Sequence, residues 1–230
     1  MTILVITGMR RECRLLAGPG IEIVAGGGDP GRLYAEAARL ALSANGILSM
    51  GIAGGLAPKL RPGEWVVADA IVDGDATCVT DAAWSSRLAA RLPGATRGRI
   101  LGRDAMAATA GEKAELHRAS GALAVDMESH IAARIAAQRR LPLAVARVLS
   151  DGAKRTLPAA ARVALARDGS IDLPAILRSL LTAPWQLPAL VRTGLEAERG
   201  FRALARGRRR IGADLGFAGA DIGQLPIDVT

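Results

Sequence analysis

In the segment AVDMESHIAA, residues 124 to 133, Asp126 and Glu128 flank Met127 directly after the apolar run GALAV. Glu12 in TGMRREC and Asp151 in VLSDGA also follow apolar runs, and Arg147 stands three residues before Ser150. Acids grouped with an arginine can do general acid-base work, because burial and neighbouring charge decide which carboxyl holds a proton. The same acids also suit a structural role, since Asp and Glu at a helix start complement its exposed N–H groups. Spacing alone names no substrate.

Other chemistries find less support. GGGDPG lies between a strand run and a helical run but lacks G-x-G-x-x-G spacing, so no nicotinamide or flavin cofactor is expected. There is no G-x-S-x-G, and His117 and His130 sit in helical patterns, where they read as surface or satisfied histidines rather than a catalytic base. No cluster has metal-ligand spacing, and no metal is expected.

The acids need strands and helices to hold them. TILVITG, IEIVAGGG, ILSMGIAGG, GEWVVADAIVDGD, GALAV and LPLAVARVLSD read as strands. MRRECRLL, DPGRLYAEAARLALSANG, DAAWSSRLAARL, GEKAELHRAS and MESHIAARIAAQRR read as helices between them. Alternation of this kind predicts an α/β fold with a largely parallel sheet covered on both faces. Sites in such sheets gather at the carboxyl ends of the strands, where Gly8 to Glu12, Gly26 to Gly28, Gly51 to Gly55, Asp126 to Glu128 and Ser150 with Asp151 all fall.

The chain of 230 residues suits one domain, residues 1–230, with a C-terminal extension over 170–210. That extension is unlike the rest. From Leu173 to Val191 only Arg178 is charged, but Pro174, Pro184 and Pro188 oppose one continuous spanning helix. The basic helical run GLEAERGFRALARGRRR follows, so the segment either packs on the domain or lies on an anionic membrane. The last stretch, GADIGQLPIDVT, reads as extended.

A net charge of +8 admits nucleic acid, membrane or phosphorylated partners, but only three of the 30 basic residues are Lys, a bias that composition alone can produce. With 3% aromatic residues and no recognition motif, no nucleic-acid partner is expected. Cys13 and Cys78 are isolated and the start has no secretory pattern, so the expected location is cytoplasmic, peripheral on the inner membrane face if the tail binds lipid.

ITGMRREC, SMGIAGGLAPKLRPGEWVVAD, GRDAMA, AVDMES and VARVLSDGA, in this order over residues 2 to 155, resemble the nucleoside phosphorylase and methylthioadenosine/S-adenosylhomocysteine nucleosidase superfamily. The tail LPAILRSLLTAPWQLPALVRTGLEAERGFRALA is most similar to its hopanoid-associated, adenosylhopane-cleaving branch. The resemblance implies a three-layer fold with a central mixed, largely parallel sheet, a homodimer or higher homo-oligomer, and cleavage of a purine N-glycosidic bond. It implies that Glu12 activates water, Glu128 binds the ribose hydroxyls and Met127 packs on the sugar. By the same resemblance Asp151 protonates or hydrogen-bonds N7 of the leaving base, supported by Ser150, with Arg147 close to the water or anion. Met106, Ala107, Val125 and Asp126 frame the base, Asp126 through its backbone if it is not simply a capping acid.

The chemistry matches these residue types. An oxocarbenium-like transition state needs a proton or hydrogen bond on the base and negative potential at the sugar. Two departures stand out: Ile52 occupies a position where relatives carry a hydroxyl that helps hold water or phosphate, and Met106 one where nucleosidases stack an aromatic ring. A candidate water or phosphate site therefore comprises Gly8, Arg10, Arg11, Gly28, Arg32 and Ile52, with inorganic phosphate as a co-substrate if arginines bind it and surface arginines as the other reading. The expected reaction releases adenine from adenosylhopane. The alternatives are a soluble methylthioadenosine/S-adenosylhomocysteine nucleosidase or purine nucleoside phosphorylase and, more remotely, a non-catalytic nucleoside-binding module.

Overall fold

Apolar runs form the interior of a mixed sheet in the computed structural model, which describes residues 1–166 and 168–217. The strands are β1 (Ile3–Thr7), β2 (Ile21–Ala25), β3 (Gly46–Gly55), β4 (Trp65–Asp73), β5 (Ala76–Val79), β6 (Thr96–Gly102), β7 (Ala124–Asp126) and β8 (Leu143–Asp151). The helices are α1 (Arg10–Leu16), α2 (Pro30–Leu40), α3 (Ala82–Arg91), α4 (Ala110–Ser120), α5 (Ser129–Arg139), α6 (Ala159–Arg162), α7 (Leu173–Thr182) and α8 (Leu187–Ile211). The stretch GADIGQLPIDVT lies outside the described residues.

The sheet runs β2-β1-β3-β7-β6-β4-β5, and β8 pairs with both β3 and β4. The strands β3, β8, β4, β6 and β7 therefore close on one another. Parallel pairing joins β1 to β2 and β3, β3 to β8, β4 to β6, and β6 to β7. Antiparallel pairing joins β3 to β7 and β4 to β5 and β8. The expected mixed, largely parallel sheet is what forms.

Two helical layers cover it. On one face Leu33 and Ala37 of α2 and Ile131, Ala132 and Ile135 of α5 pack with Leu4, Ile6, Ile47 and Val145. On the other, Leu16 of α1, Trp84 and Leu88 of α3, and Leu204 and Ile211 of α8 pack with Val5, Leu48, Trp65 and Val148. The close approach of α8 requires Gly207, where a Cβ atom would lie 2.3 Å from the Trp65 ring.

Helix starts follow local chemistry. Asp29 accepts from the Arg32 amide (3.0 Å) ahead of Pro30, and Asp81 accepts from that of Trp84 (2.7 Å). The prolines divide the tail as expected: α7 ends at Thr182, a 3-10 turn spans Pro184–Gln186, and Pro188 sits in the first turn of α8. Among the described residues no helix is long and apolar enough to cross a membrane. Two strands have no counterpart in the sequence reading, the short β5 and β6. β6 carries Arg97 and Arg99 beside small residues, which disguises its apolar end at Ile100 and Leu101.

Candidate functional site

The acids converge because their strands end together. Glu12 lies in the first turn of α1 after β1, Glu128 directly before α5 after β7, and Asp151 at the last position of β8. All three are buried and line one cavity of about 320 Å³. Gly8, Ile52, Met106, Ala107, Val125, Asp126, Met127 and Ser150 line it too, as does Met9, which sequence reasoning did not single out.

Glu12 is fixed by donors. Its Oε2 accepts from the amides of Gly8 (2.8 Å) and Met9 (2.7 Å) and from the Thr7 hydroxyl, while Oε1 accepts from the Ile52 amide at 2.6 Å. Oε1, with one donor, keeps a lone pair for a further proton donor. Position 51 must be glycine for this: a Cβ there would lie 2.5 Å from Oε1 and 2.8 Å from Arg147 Nη1. The Ile52 backbone thus serves the site at a position where a side-chain hydroxyl is missing.

Asp126 and Glu128 divide their labour. Asp126 Oδ1 accepts from the amides of Glu128 (3.0 Å) and Ser129 (2.8 Å), and Oδ2 takes the Ser129 hydroxyl and faces Arg147 Nε at 2.7 Å. Its carbonyl accepts from the Arg103 amide at 3.0 Å. Its carboxyl thus acts as a capping acid ahead of α5, and Asp126 also lines the cavity. Glu128 makes no capping bond with its side chain. Its carboxyl meets Arg147 Nη2 at 3.3 Å. Burial pushes the Glu128 pKa up to about 8; Arg147 opposes the rise, and Asp126 and Glu12 add to it.

Arg147, expected close to the water or anion, is not among the residues that line the cavity. It is fully buried behind the cavity wall and bonds Ser49 Oγ (2.6 Å) and Ser129 Oγ (3.3 Å) as well as facing the two acids. Burial works against its charge but is outweighed by Asp126, Glu128 and Glu12, so its pKa is raised. It positions the acids.

The arginines expected to bind phosphate also lie elsewhere. Arg10 pairs with Asp168 (2.8 Å), Arg11 with Glu198 (2.7 Å) while covering the Phe201 ring, and Arg32 with Glu36 (3.1 Å) and the carbonyls of Ala25 and Gly26. Neither they nor Gly28 line the cavity. Side-chain pairing, invisible in spacing, drew them outward.

Asp151 has a partner that sequence reasoning missed. Its Oδ1 accepts from Ser150 Oγ at 2.8 Å, and its Oδ2 forms an ion pair with the fully buried Lys113 of α4. Lys113 sits among charged neighbours in GEKAELHRAS, a pattern that reads as solvent-facing; its rarity as one of three lysines was the available signal. The far wall comes largely from the apolar tail. Leu165, Ile171, Ile176, Leu190 and Phe201, from the segment after α6 and from α7 and α8, make the cavity largely apolar. His130 is buried with Nε2 2.9 Å from Asp104, while its Nδ1 has no hydrogen-bond partner among the described residues, so it is only half satisfied. Among the described residues no cluster could hold a metal ion.

The family model described as the phosphorylase superfamily matches residues 16–182. The chain belongs to that superfamily. Its match starts after Glu12 and includes Glu128 and Asp151. Among solved structures, the methylthioadenosine/S-adenosylhomocysteine nucleosidase from S. pneumoniae with a transition-state inhibitor aligns at TM-score 0.62 and 16% identity, covering 92% of this chain and 100% of that one. The futalosine hydrolase of Helicobacter pylori aligns at 0.64 and 15%, covering 92% and 97%. The S-adenosylhomocysteine nucleosidase from Streptococcus pyogenes with 5-methylthiotubericidin aligns at 0.59 and 20%, covering 85% and 96%. These likenesses give this superfamily member the nucleosidase fold. No curated protein matches the sequence.

Proposed function

We propose that this chain hydrolyses the N-glycosidic bond of a purine nucleoside with a large apolar 5′ substituent, adenosylhopane, giving adenine and ribosyl-hopane. The observation that carries the reading is the convergence of Glu12, Glu128 and Asp151 on one cavity with an otherwise largely apolar wall. Glu12 Oε1 takes a proton from the attacking water, Glu128 holds the two ribose hydroxyls, and Asp151 meets N7 of the leaving base. Asp126 and Arg147 hold the acids in place.

Water is favoured over phosphate by charge. The described residues lining the cavity include four acids and no Arg, Lys or His, a poor setting for an anionic nucleophile. The nucleosidase and hydrolase names of the structural neighbours agree with this reading. The apolar wall from α7 and α8 complements an apolar 5′ group. Comparing kcat/KM for adenosylhopane and methylthioadenosine tests the substrate class. The expected result favours adenosylhopane; efficient turnover of the small nucleoside alone would replace this reading with a soluble nucleosidase.

The same helices suit contact with an anionic membrane. While their inner side lines the cavity, Leu173, Leu177 and Leu181 of α7 and Leu187, Val191 and Leu195 of α8 are exposed at four-residue spacing. Leu181 and Trp185 are 84% and 78% exposed, and Arg178, Arg192, Arg199 and Arg202 are exposed nearby. This is the pattern of an interfacial helix pair. Replacing Leu177, Leu181 and Trp185 together by Ser should abolish co-sedimentation with anionic vesicles; unchanged sedimentation would remove this face from that role.

A further inference from the structure

Lys113 has no part in the chemistry above, yet it is the cation in contact with Asp151. It is fully buried in α4, and its ammonium also donates to the carbonyls of Gly152 (3.2 Å) and Arg155 (3.1 Å). Three acceptors match the three N–H groups of a charged lysine. A buried ion pair is weak evidence for a purely stabilising role, because well-packed apolar residues often do as well. This pair also ends at the cavity: Asp151 lines it, and Lys113 stands directly behind Asp151. An ionised aspartate has acceptors only, whereas a departing purine must gain a proton.

Resting on the hydrolytic reading, we infer that Lys113 is a positioning residue that supplies, through Asp151, the proton taken up by N7 of the leaving purine. As the C1′–N9 bond breaks, its electron pair stays with the purine. One proton passes from Lys113 Nζ to the ionised Asp151 and from Asp151 on to N7, so the base leaves neutral, Asp151 is again a carboxylate and Lys113 is left as an amine. Water adds to C1′ and gives its proton to Glu12. After product release Lys113 regains a proton from solvent and Glu12 returns one, and the cycle balances.

The test uses two substrates with the same apolar 5′ group, an adenine nucleoside and a 4-nitrophenyl riboside whose leaving group needs no proton. Lys113→Met removes the donor. Lys113→Arg keeps the positive charge beside Asp151 but offers a guanidinium that does not release a proton. Both variants should lose about 10²-fold or more in adenine release, with nitrophenolate release little changed. The ratio of the two rates, taken on one sample, cancels any unfolded fraction. Equal losses on both substrates would make Lys113 a structural tether, and full adenine release by Lys113→Arg would remove the proton transfer; either overturns the inference. If the native protein cleaves neither substrate, the hydrolytic reading falls and this inference with it.

Discussion

Replacing Glu128 by Gln should damage function and, at alkaline pH, strengthen the fold. Burial lifts the Glu128 pKa from 4.5 to about 8, with Asp126 and Glu12 adding to the rise that Arg147 opposes. Ionising Glu128 in its buried place therefore destabilises the native state. Between those pH values the native state holds a proton that the unfolded chain has released. Stability therefore falls as pH rises, and Glu128's favourable contribution, complete below about pH 4.5, is lost by about pH 8. Gln has similar volume and no such proton. Urea unfolding from pH 5 to pH 9 should show the native protein losing up to about 1.4 kcal/mol per pH unit relative to Glu128→Gln, and then levelling off. Turnover of the variant should be low throughout. A stability difference that does not change with pH, or one that grows in the opposite direction, would refute the burial argument.

Two further substitutions probe Glu12. Glu12→Gln removes the proton acceptor and should lower turnover by about 10²–10⁴-fold at saturating substrate; an unchanged rate would remove its role as base. Gly51→Ala places a methyl group 2.5 Å from Glu12 Oε1 and 2.8 Å from Arg147 Nη1. It should cost about 1–3 kcal/mol in urea unfolding and also lower turnover, whereas native stability and activity would show that the gap can relax.

The fold was legible where a strand's two faces are both buried. TILVITG and LPLAVARVLSD are continuous apolar runs, and β1 and β8 are buried almost throughout. β6 was not legible, because its arginines stand on the half of the strand that is not fully covered. At the site, position along the sheet was readable: Glu12, Glu128 and Asp151 each follow a strand, and all three line the cavity. Side-chain pairing was not. Arg147 and Lys113 meet their acids across 21 and 38 residues of sequence, and Arg11 turns away to a glutamate on α8. Such contacts depend on how layers stack, which periodicity does not record. The opening pair illustrates both cases: capping chemistry explains Asp126, whereas only the packing around Arg147 shows that the Glu128 carboxyl is left for another task.

In the proposed reaction water, activated by Glu12, breaks a purine N-glycosidic bond. Its most direct test is incubation of the native protein with adenosylhopane in ¹⁸O-labelled water, with and without inorganic phosphate, following adenine and the sugar product by mass. Hydrolysis should release adenine without phosphate and place one ¹⁸O in the ribosyl product. Release of adenine only when phosphate is present, with phosphoribosyl-hopane as the product, would contradict it.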